Sequence, residues 1–190
     1  MRKSWQVKDE PVILSAAMFR PDVKTQGLTW MIKALAKLVD ENIPFKLIIA
    51  GDGSERAPLV KQAEEFLPNR VIFAGKIARE KMYQFYSGGD FFVFPGIRES
   101  LGMVFLEAQS CNLPIIAFDN GGIPEVVRQG ETAFLTTPFD EESFCSAVKQ
   151  LLQNRDQRNT MGQAAAAYIR SKHDLHKNYL SFEKILMNHV

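Results

Sequence analysis

Two hydrophobic periodicities alternate along the chain, and this alternation limits the fold more than any other feature. Short apolar runs of strand length are followed by segments in which apolar residues recur at helical spacing. The predicted strands cover residues 12–18, 45–50, 71–74, 91–94, 114–118 and 133–135. The predicted helices cover residues 28–39, 56–66, 79–87 and 103–111, a short stretch from residue 124, and three segments after residue 141 separated near residues 154 and 172.

Strands that are apolar throughout and are separated by helices form a parallel sheet with both faces covered. No repeat, linker or low-complexity tract interrupts the alternation. We therefore predict an α/β fold with a single doubly wound, Rossmann-like parallel sheet flanked by helices. This one domain is expected to cover residues 1–190.

The composition argues against several classes of protein. Lys plus Arg total 23 against 22 for Asp plus Glu, so the net charge of +1 provides no overall attraction to nucleic acid or to an anionic membrane. Two cysteines are too few for a disulfide framework, which indicates a reduced, cytoplasmic setting. No apolar run approaches the ~20 residues of a membrane span, and the polar N-terminus lacks a signal peptide. No cluster of His, Cys or acidic residues has the spacing of a metal site.

Open parallel sheets bind ligands at the carboxyl ends of their strands. The loops after residues 18, 50, 74, 94 and 118 each hold glycine, proline or charged residues, so we expect the binding site to be built from them. Gly51 and Gly53 follow the second strand, where an ordinary strand-to-helix turn also explains them.

The segment from Phe94 to Glu107 carries the most chemical information. A buried strand ends there in a Pro-Gly turn, and a helix opens near Gly102. The first backbone N–H groups of a helix have no partner, and the helix dipole adds positive charge, so this end suits a phosphate. The backbone expected to cradle a pyrophosphate belongs to Leu101, Gly102, Met103 and Val104. Glu107 lies further along the helix, placed to accept hydrogen bonds from a ribose, and Glu99 precedes the helix, placed to accept them from sugar hydroxyls.

A plainer interpretation of these two glutamates has about equal weight from physics alone. One would be a helix cap and the other part of a solvated face, because acids are common near helix N-termini. The helix is apolar nearly all round, however, which predicts that it is buried. A glutamate inside a buried helix is costly unless it is paired, and this favours a functional role for Glu107.

The stretch from Glu99 to Glu107 resembles a motif of the group 1, or family 4, retaining glycosyltransferases, in which seven residues separate two glutamates. In that family the motif lies in the C-terminal domain of a two-domain B-type fold. The resemblance implies that Glu99 contacts the sugar of a nucleoside-diphosphate-sugar donor and that Glu107 contacts its ribose. It also implies that the amides around Gly102 and Met103 hold the distal phosphate, with no metal ion and no further cofactor.

Other matches to the family run along almost the whole chain, and their order and spacing make the resemblance specific. Residues 71–77 resemble the segment whose backbone binds the nucleobase, with Lys76 and Ile77 at the edge of the base pocket. Gly51 and Gly53 stand where the family has its second-strand loop, and are taken with the donor site. Further matches are residues 90–95, 114–117, 121–125 and 130–135.

The chain departs from the family pattern at two cations. An arginine after the first strand and a lysine before a glycine are usual there, but those positions hold Met18 and Gln26. Arg20 and Lys24 lie in the same predicted loop and are candidates to bind the phosphates instead. Three hypotheses stay open: these two residues compensate, the donor is bound differently, or the domain binds weakly and has lost activity.

The resemblance also implies a partner, because the acceptor site of such enzymes lies in an N-terminal domain that this chain lacks. We expect a donor-binding domain that is inactive alone, in a parent protein for polysaccharide or glycoconjugate synthesis that is able to associate peripherally with a membrane. The terminal helices, from about residue 168 to 190, resemble the segment that returns towards that missing half. The competing hypotheses are a non-catalytic binding module and a related B-type enzyme, an epimerase or a glycan synthase.

Overall fold

The computed structural model describes residues 1–187, and residues 188–190 lie outside the described part. Six strands form one sheet in the order β3-β2-β1-β4-β5-β6, and every neighbouring pair is parallel. The strands are β1 (Val12–Ala16), β2 (Lys46–Ala50), β3 (Val71–Gly75), β4 (Phe91–Val93), β5 (Ile115–Phe118) and β6 (Ala133–Thr136). The predicted doubly wound parallel sheet is confirmed.

Helices cover both faces of this sheet. They are α1 (Val23–Asp40), α2 (Arg56–Phe66), α3 (Met82–Tyr86), α4 (Met103–Ser110), α5 (Ile123–Val126), α6 (Glu141–Gln153), α7 (Arg155–Lys172) and α8 (Leu175–Met187). One group is formed by α1 packing against α2 and α6, and another by α4 packing against α3 and α7. Every residue of β1, β4 and β5 is buried, which explains why these strands are apolar throughout.

The strand order reverses direction between β1 and β4. From β1 the chain adds β2 and β3 on one side, and then crosses back to add β4, β5 and β6 on the other. The loops after β1 and β4 therefore diverge and leave a crevice at the carboxyl end of the sheet, which is where open α/β sheets bind ligands.

The first helix begins five residues earlier than predicted, at Val23 instead of residue 28. The cause is Asp22, whose carboxylate accepts hydrogen bonds from the backbone N–H groups of Lys24 at 2.8 Å and Thr25 at 3.4 Å. The prediction that Lys24 shares a loop with Arg20 is therefore wrong. Lys24 lies in the first turn of α1, while Arg20 remains in the loop before it.

The prediction that the apolar helix after Gly102 is buried holds for one face only. Met103 is 55% exposed and the preceding Leu101 is 68% exposed. Only one face of α4 is buried, through Phe105, Ala108 and Gln109. The N-terminus of α4 therefore lies at the surface, and the argument from burial to a role for Glu107 loses force.

The last described helix, α8, has no buried residue. Its large apolar side chains are more than one-third exposed: Leu175, Tyr179, Leu180, Phe182, Ile185, Leu186 and Met187. Even so, none of the helices within residues 1–187 is long and apolar enough to cross a membrane.

Candidate functional site

A cleft of about 480 Å³ lies at the carboxyl ends of β1 to β4, at the reversal of the strand order. Its floor is apolar, formed by alanines at the ends of β1 and β2 and by Phe94. The cleft brings together predicted site residues from four separate loops, from the first turn of α1 and from α4: Arg20, Lys24, Gly51, Gly53, Lys76, Ile77, Glu99, Val104 and Glu107. Leu101, Gly102 and Met103 are not part of its lining.

Gly51 and Gly53 hold the loops after β1 and β2 together. A Cβ atom on Gly51 would lie 1.9 Å from the carbonyl oxygen of Ala17, and one on Gly53 would lie 2.2 Å from that of Phe19. The amide of Phe19 also donates to the carbonyl of Asp52 at 3.1 Å. The two glycines therefore shape one wall of the cleft by allowing close backbone contact, and contact with a ligand stays a prediction.

Three cations line the cleft: Arg20 before α1, Lys24 in its first turn and Lys76 after β3. None of them is in a salt bridge within residues 1–187. A lysine at a helix N-terminus is unfavourable in itself, because its charge adds to the positive end of the dipole. An anion in the cleft would relieve this repulsion.

Met18 and Gln26, the uncharged residues at the positions of the expected cations, lie in different places. Met18 lines the cleft and is 45% exposed, whereas Gln26 is exposed on α1 and is not part of the lining. Arg20 and Lys24 line the same cleft as Met18, and their compensation for the missing cation stays a prediction.

The loop that carries Glu99 is held by a pair of glycines after β5. The amide of Gly122 donates to the carbonyl of Glu99 at 2.9 Å. A Cβ atom on Gly122 would lie 1.9 Å from the carbonyl oxygen of Ser100, and one on Gly121 would lie 2.2 Å from that of Glu99. These glycines therefore support the glutamate loop, a role that sequence analysis did not find because the two loops are far apart in the chain.

Glu99 also contacts the start of α4. Its Oε1 accepts a hydrogen bond of 3.3 Å from the amide of Gly102, which has the left-handed φ of 63°. This bond is long and therefore weak. A phosphate that approached the Gly102 amide would compete with Glu99 for it, so the two predicted roles are coupled.

Glu107 is half-buried on α4, and its Oε2 accepts a hydrogen bond of 3.0 Å from the hydroxyl of Tyr86. Burial, together with the charge of Glu107, raises the pKa of Tyr86, so this hydroxyl keeps its proton and acts as a donor. Sequence analysis did not identify Tyr86. Its only sequence signal was a tyrosine in an apolar helix, which generally needs a partner for its hydroxyl.

No group of three or more His, Cys, Asp or Glu side chains within residues 1–187 is arranged to hold a metal ion. The cleft combines carboxylates, cations and an apolar floor, which together suit a ligand with hydroxyls, phosphates and a flat ring. The family model "Glycosyl transferases group 1" matches residues 1–168. The chain belongs to this family.

Individual group 1 relatives cover most of the chain. It is 33% identical over 142 residues to the sulfoquinovosyl transferase SQD2 of Arabidopsis thaliana. This match covers 73% of the chain and 27% of the relative. It is 27% identical over 187 residues to the N-acetyl-alpha-D-glucosaminyl L-malate synthase of Bacillus anthracis. This match covers 97% of the chain and 48% of the relative. The chain thus spans about half or less of the length of these curated relatives.

A solved structure places the fold among the group 1 glycosyltransferases of B type. HepE of Anabaena, in complex with UDP-glucose, superimposes with a TM-score of 0.83 at 25% identity. The match covers 98% of this chain and 51% of HepE. The predicted family and fold are therefore confirmed, and the chain corresponds to one half of such a two-domain structure.

Proposed function

We propose that residues 1–190 form the donor-binding domain of a retaining glycosyltransferase that uses a nucleoside-diphosphate sugar. The observation that carries the proposal is the single cleft in which Glu99 and Glu107 meet Arg20 and Lys24. Carboxylates suit the hydroxyls of sugar and ribose, and unpaired cations suit a diphosphate. The structure of HepE with UDP-glucose supports the same class of ligand.

Each part of the donor has a proposed contact. Glu107 accepts hydrogen bonds from the ribose, Glu99 accepts them from the sugar, and Lys76 and Ile77 lie beside the base. The amides of Gly102, which caps α4, and Met103, its first residue, do not line the cleft, but the Gly102 amide is bonded to Glu99, which does. These amides bind the distal phosphate when Glu99 turns from Gly102 to the sugar.

The chemistry of transfer follows from these contacts. The bond between the anomeric carbon of the sugar and the phosphate oxygen breaks while a bond from that carbon to the acceptor hydroxyl oxygen forms. The acceptor's proton passes to the departing nucleoside diphosphate, on which negative charge grows as the bond breaks. Arg20, Lys24 and the positive end of α4 stabilise that charge without a metal ion, and preorganised groups of this kind are a major source of catalysis.

The acceptor side of the reaction is proposed to lie outside this chain. An N-terminal domain of a longer parent would bind the acceptor, so the isolated domain is expected to bind donor without transferring sugar. We further propose that the donor is a nucleotide sugar of the cytoplasm. The parent protein would act in polysaccharide or glycoconjugate assembly. The names of the relatives, a sulfoquinovosyl transferase and an N-acetylglucosaminyl malate synthase, support sugar transfer but differ in the sugar and in the acceptor.

Binding of UDP, GDP, ADP and their sugar conjugates to the 190-residue chain tests the proposal. A ligand at one hundred times its dissociation constant stabilises the fold by about 2.7 kcal/mol, or roughly 5–10 °C of melting temperature at this size. We expect one base to give this shift. Glu107→Ala should reduce the affinity for the free nucleoside diphosphate more than Glu99→Ala, because of these two glutamates only Glu107 is assigned to the nucleotide.

The matched control is Glu65→Ala, which removes an exposed glutamate of α2 that does not line the cleft. It should leave nucleotide affinity unchanged. Equal losses in the two cleft variants would contradict their separate roles, and an absence of binding to every nucleotide would overturn the proposal for this chain.

A non-catalytic binding module is the second candidate, favoured by the uncharged Met18 in the cleft. A transfer assay on the longer parent protein distinguishes the two hypotheses. A donor that binds but is never consumed, with any acceptor, would favour the binding module, whereas a product with the anomeric configuration of the donor would favour retaining transfer.

A further inference from the structure

Tyr86 is a buried residue at the end of α3, and it is part of the lining of the cleft. We propose that it is a positioning residue, which orients the Glu107 carboxylate so that one oxygen stays directed to the ribose hydroxyls. This inference rests on the proposed function, because it concerns the same nucleotide site. It adds a residue on another helix, 21 positions from Glu107, as a determinant of selectivity for ribose.

The ring of Tyr86 is held firmly in place. The residue is 1% exposed, and its ring packs edge-on against Phe85 at 5.5 Å and Phe92 at 5.8 Å between centroids. Phe92 belongs to the buried strand β4. The hydroxyl is therefore fixed relative to the sheet, and it donates its proton to Oε2 of Glu107.

Glu107 depends on that hydrogen bond for its orientation. Within residues 1–187, Tyr86 is the only group that donates a hydrogen bond to its carboxylate, and no cation forms a salt bridge with it. Because Oε2 is engaged, Oε1 is the oxygen left to accept from a ligand. Neutral hydroxyl donors suit this carboxylate, which has no paired cation to displace.

The space behind Glu107 explains why the orientation needs support. A second cavity of about 190 Å³ adjoins the cleft, and Tyr86 and Glu107 line both. Arg79 lines this second cavity and offers a competing positive charge. Without the Tyr86 hydroxyl, the Glu107 side chain is free to turn from the ribose towards Arg79.

Replacing Tyr86 by phenylalanine removes the hydroxyl and keeps the ring that packs against Phe85 and Phe92. The probes are UDP and 2′,3′-dideoxy-UDP, with the matching guanine and adenine pairs, measured by titration calorimetry on the 190-residue chain. The wild-type protein is expected to prefer the ribonucleotide. In Tyr86→Phe that affinity should fall about two- to tenfold, the cost of holding one freed side chain, while the dideoxy affinity stays unchanged.

The matched control is Tyr83→Phe, one turn earlier on α3, where the residue is 59% exposed and the hydroxyl accepts a hydrogen bond from Gln84 at 3.0 Å instead of donating to Glu107. It should leave both affinities unchanged. In a Glu107→Gln background, Tyr86→Phe should cause little further loss of ribose preference, because both act through one carboxylate.

The outcomes separate this inference from the function on which it rests. An equal loss of both affinities in Tyr86→Phe would mean a structural role only, and no loss of either affinity would mean that Glu107 needs no support. Either result overturns the inference about Tyr86 but does not contradict the proposed donor site. Failure of the wild-type chain to bind any of the ribonucleotides overturns both.

Discussion

At the scale of single residues, charges at the cleft differ in how they are held. Glu107 is anchored by Tyr86 and Glu99 by the Gly102 amide, whereas Arg20 and Lys24 form no ion pair within residues 1–187. Glu107 is thus oriented in advance, whereas Glu99 is held only by a weak bond of 3.3 Å that it is proposed to give up to reach the sugar. The cations are available to an incoming anion, which suits adaptable neutralisation of phosphates.

Removal of Arg20 and Lys24 tests whether they replace the cations missing at Met18 and Gln26. The double variant Arg20→Ala/Lys24→Ala should weaken UDP binding roughly three- to thirtyfold and leave uridine binding unchanged, because the two cations are proposed to contact only the diphosphate. The nucleoside and nucleotide affinities are compared by calorimetry. Lys61→Ala, at an exposed position of α2, is the matched control. Equal losses for uridine and UDP would contradict compensation.

Burial of Tyr86 predicts a loss of stability in alkali. Burial raises the pKa of Tyr86 in the folded protein above its ordinary value of about 10, so the stabilisation is complete below pH 10 and is lost as the pH rises beyond it. The free energy of unfolding should fall by up to about 1.4 kcal/mol per pH unit through this group.

Chemical denaturation at pH 9 and pH 11 measures the effect, with Tyr86→Phe as the reference. The variant should lose less stability between these pH values than the wild-type protein. Cys145, whose pKa burial raises to about 11, contributes in both proteins and cancels in the comparison. Parallel losses would show that Tyr86 titrates normally.

At the scale of elements, the site depends on contacts between loops at the carboxyl end of the sheet. The loop after β5 supports the loop after β4 through Gly122, and the loops after β1 and β2 meet at Gly51 and Gly53. In each case the approach is too close for a side chain. The cleft is therefore shaped by pairs of loops that have to fit one another.

Gly122→Ala measures the importance of this fit for the Glu99 loop. The new methyl group would lie 1.9 Å from the Ser100 carbonyl oxygen, so the loop has to move and the free energy of unfolding should fall by about 1–3 kcal/mol. Donor affinity should fall with it. Gly27→Ala is the control, because its Cβ would meet only ordinary contacts at 3.7 Å and helix propensity favours alanine. Equal stability of the two variants would contradict the close contact.

At the scale of the whole molecule, the chain has one closed core and one open surface. Its sheet is covered on both faces, yet α8 presents its apolar residues to solvent. An exposed apolar face of this size commonly marks an interaction surface. The chain matches about half of HepE, which supports the proposal that α8 contacts a second domain of a longer parent.

Removal of α8 should therefore reduce the stability of the domain very little. The free energy of unfolding of a chain ending at His173 is expected to lie within about 0.5 kcal/mol of that of the full chain, because no residue of α8 is buried. The truncated chain should also bind less of a hydrophobic dye. Chemical denaturation and dye fluorescence measure the two effects, and a loss of several kcal/mol would show that α8 packs on the domain.

Local patterns in the sequence determined the fold class, the family and most of the cleft. Strand and helix periodicities are properties of short segments, so the parallel sheet was predictable without any long-range contact. The rule that ligands bind at the carboxyl ends of strands then selected the loops. Glu99 and Glu107 were identifiable because their motif lies in one continuous segment.

Tertiary structure alone decided which residues meet across the chain. The bond between Tyr86 and Glu107, and the support of Ser100 by Gly122, join positions that no local pattern connects. The exposure of Met103 likewise depends on which face of α4 the neighbouring elements cover. Such contacts follow from how helices and loops pack on the sheet, and the same apolar segment is compatible with several packings until its neighbours are in place.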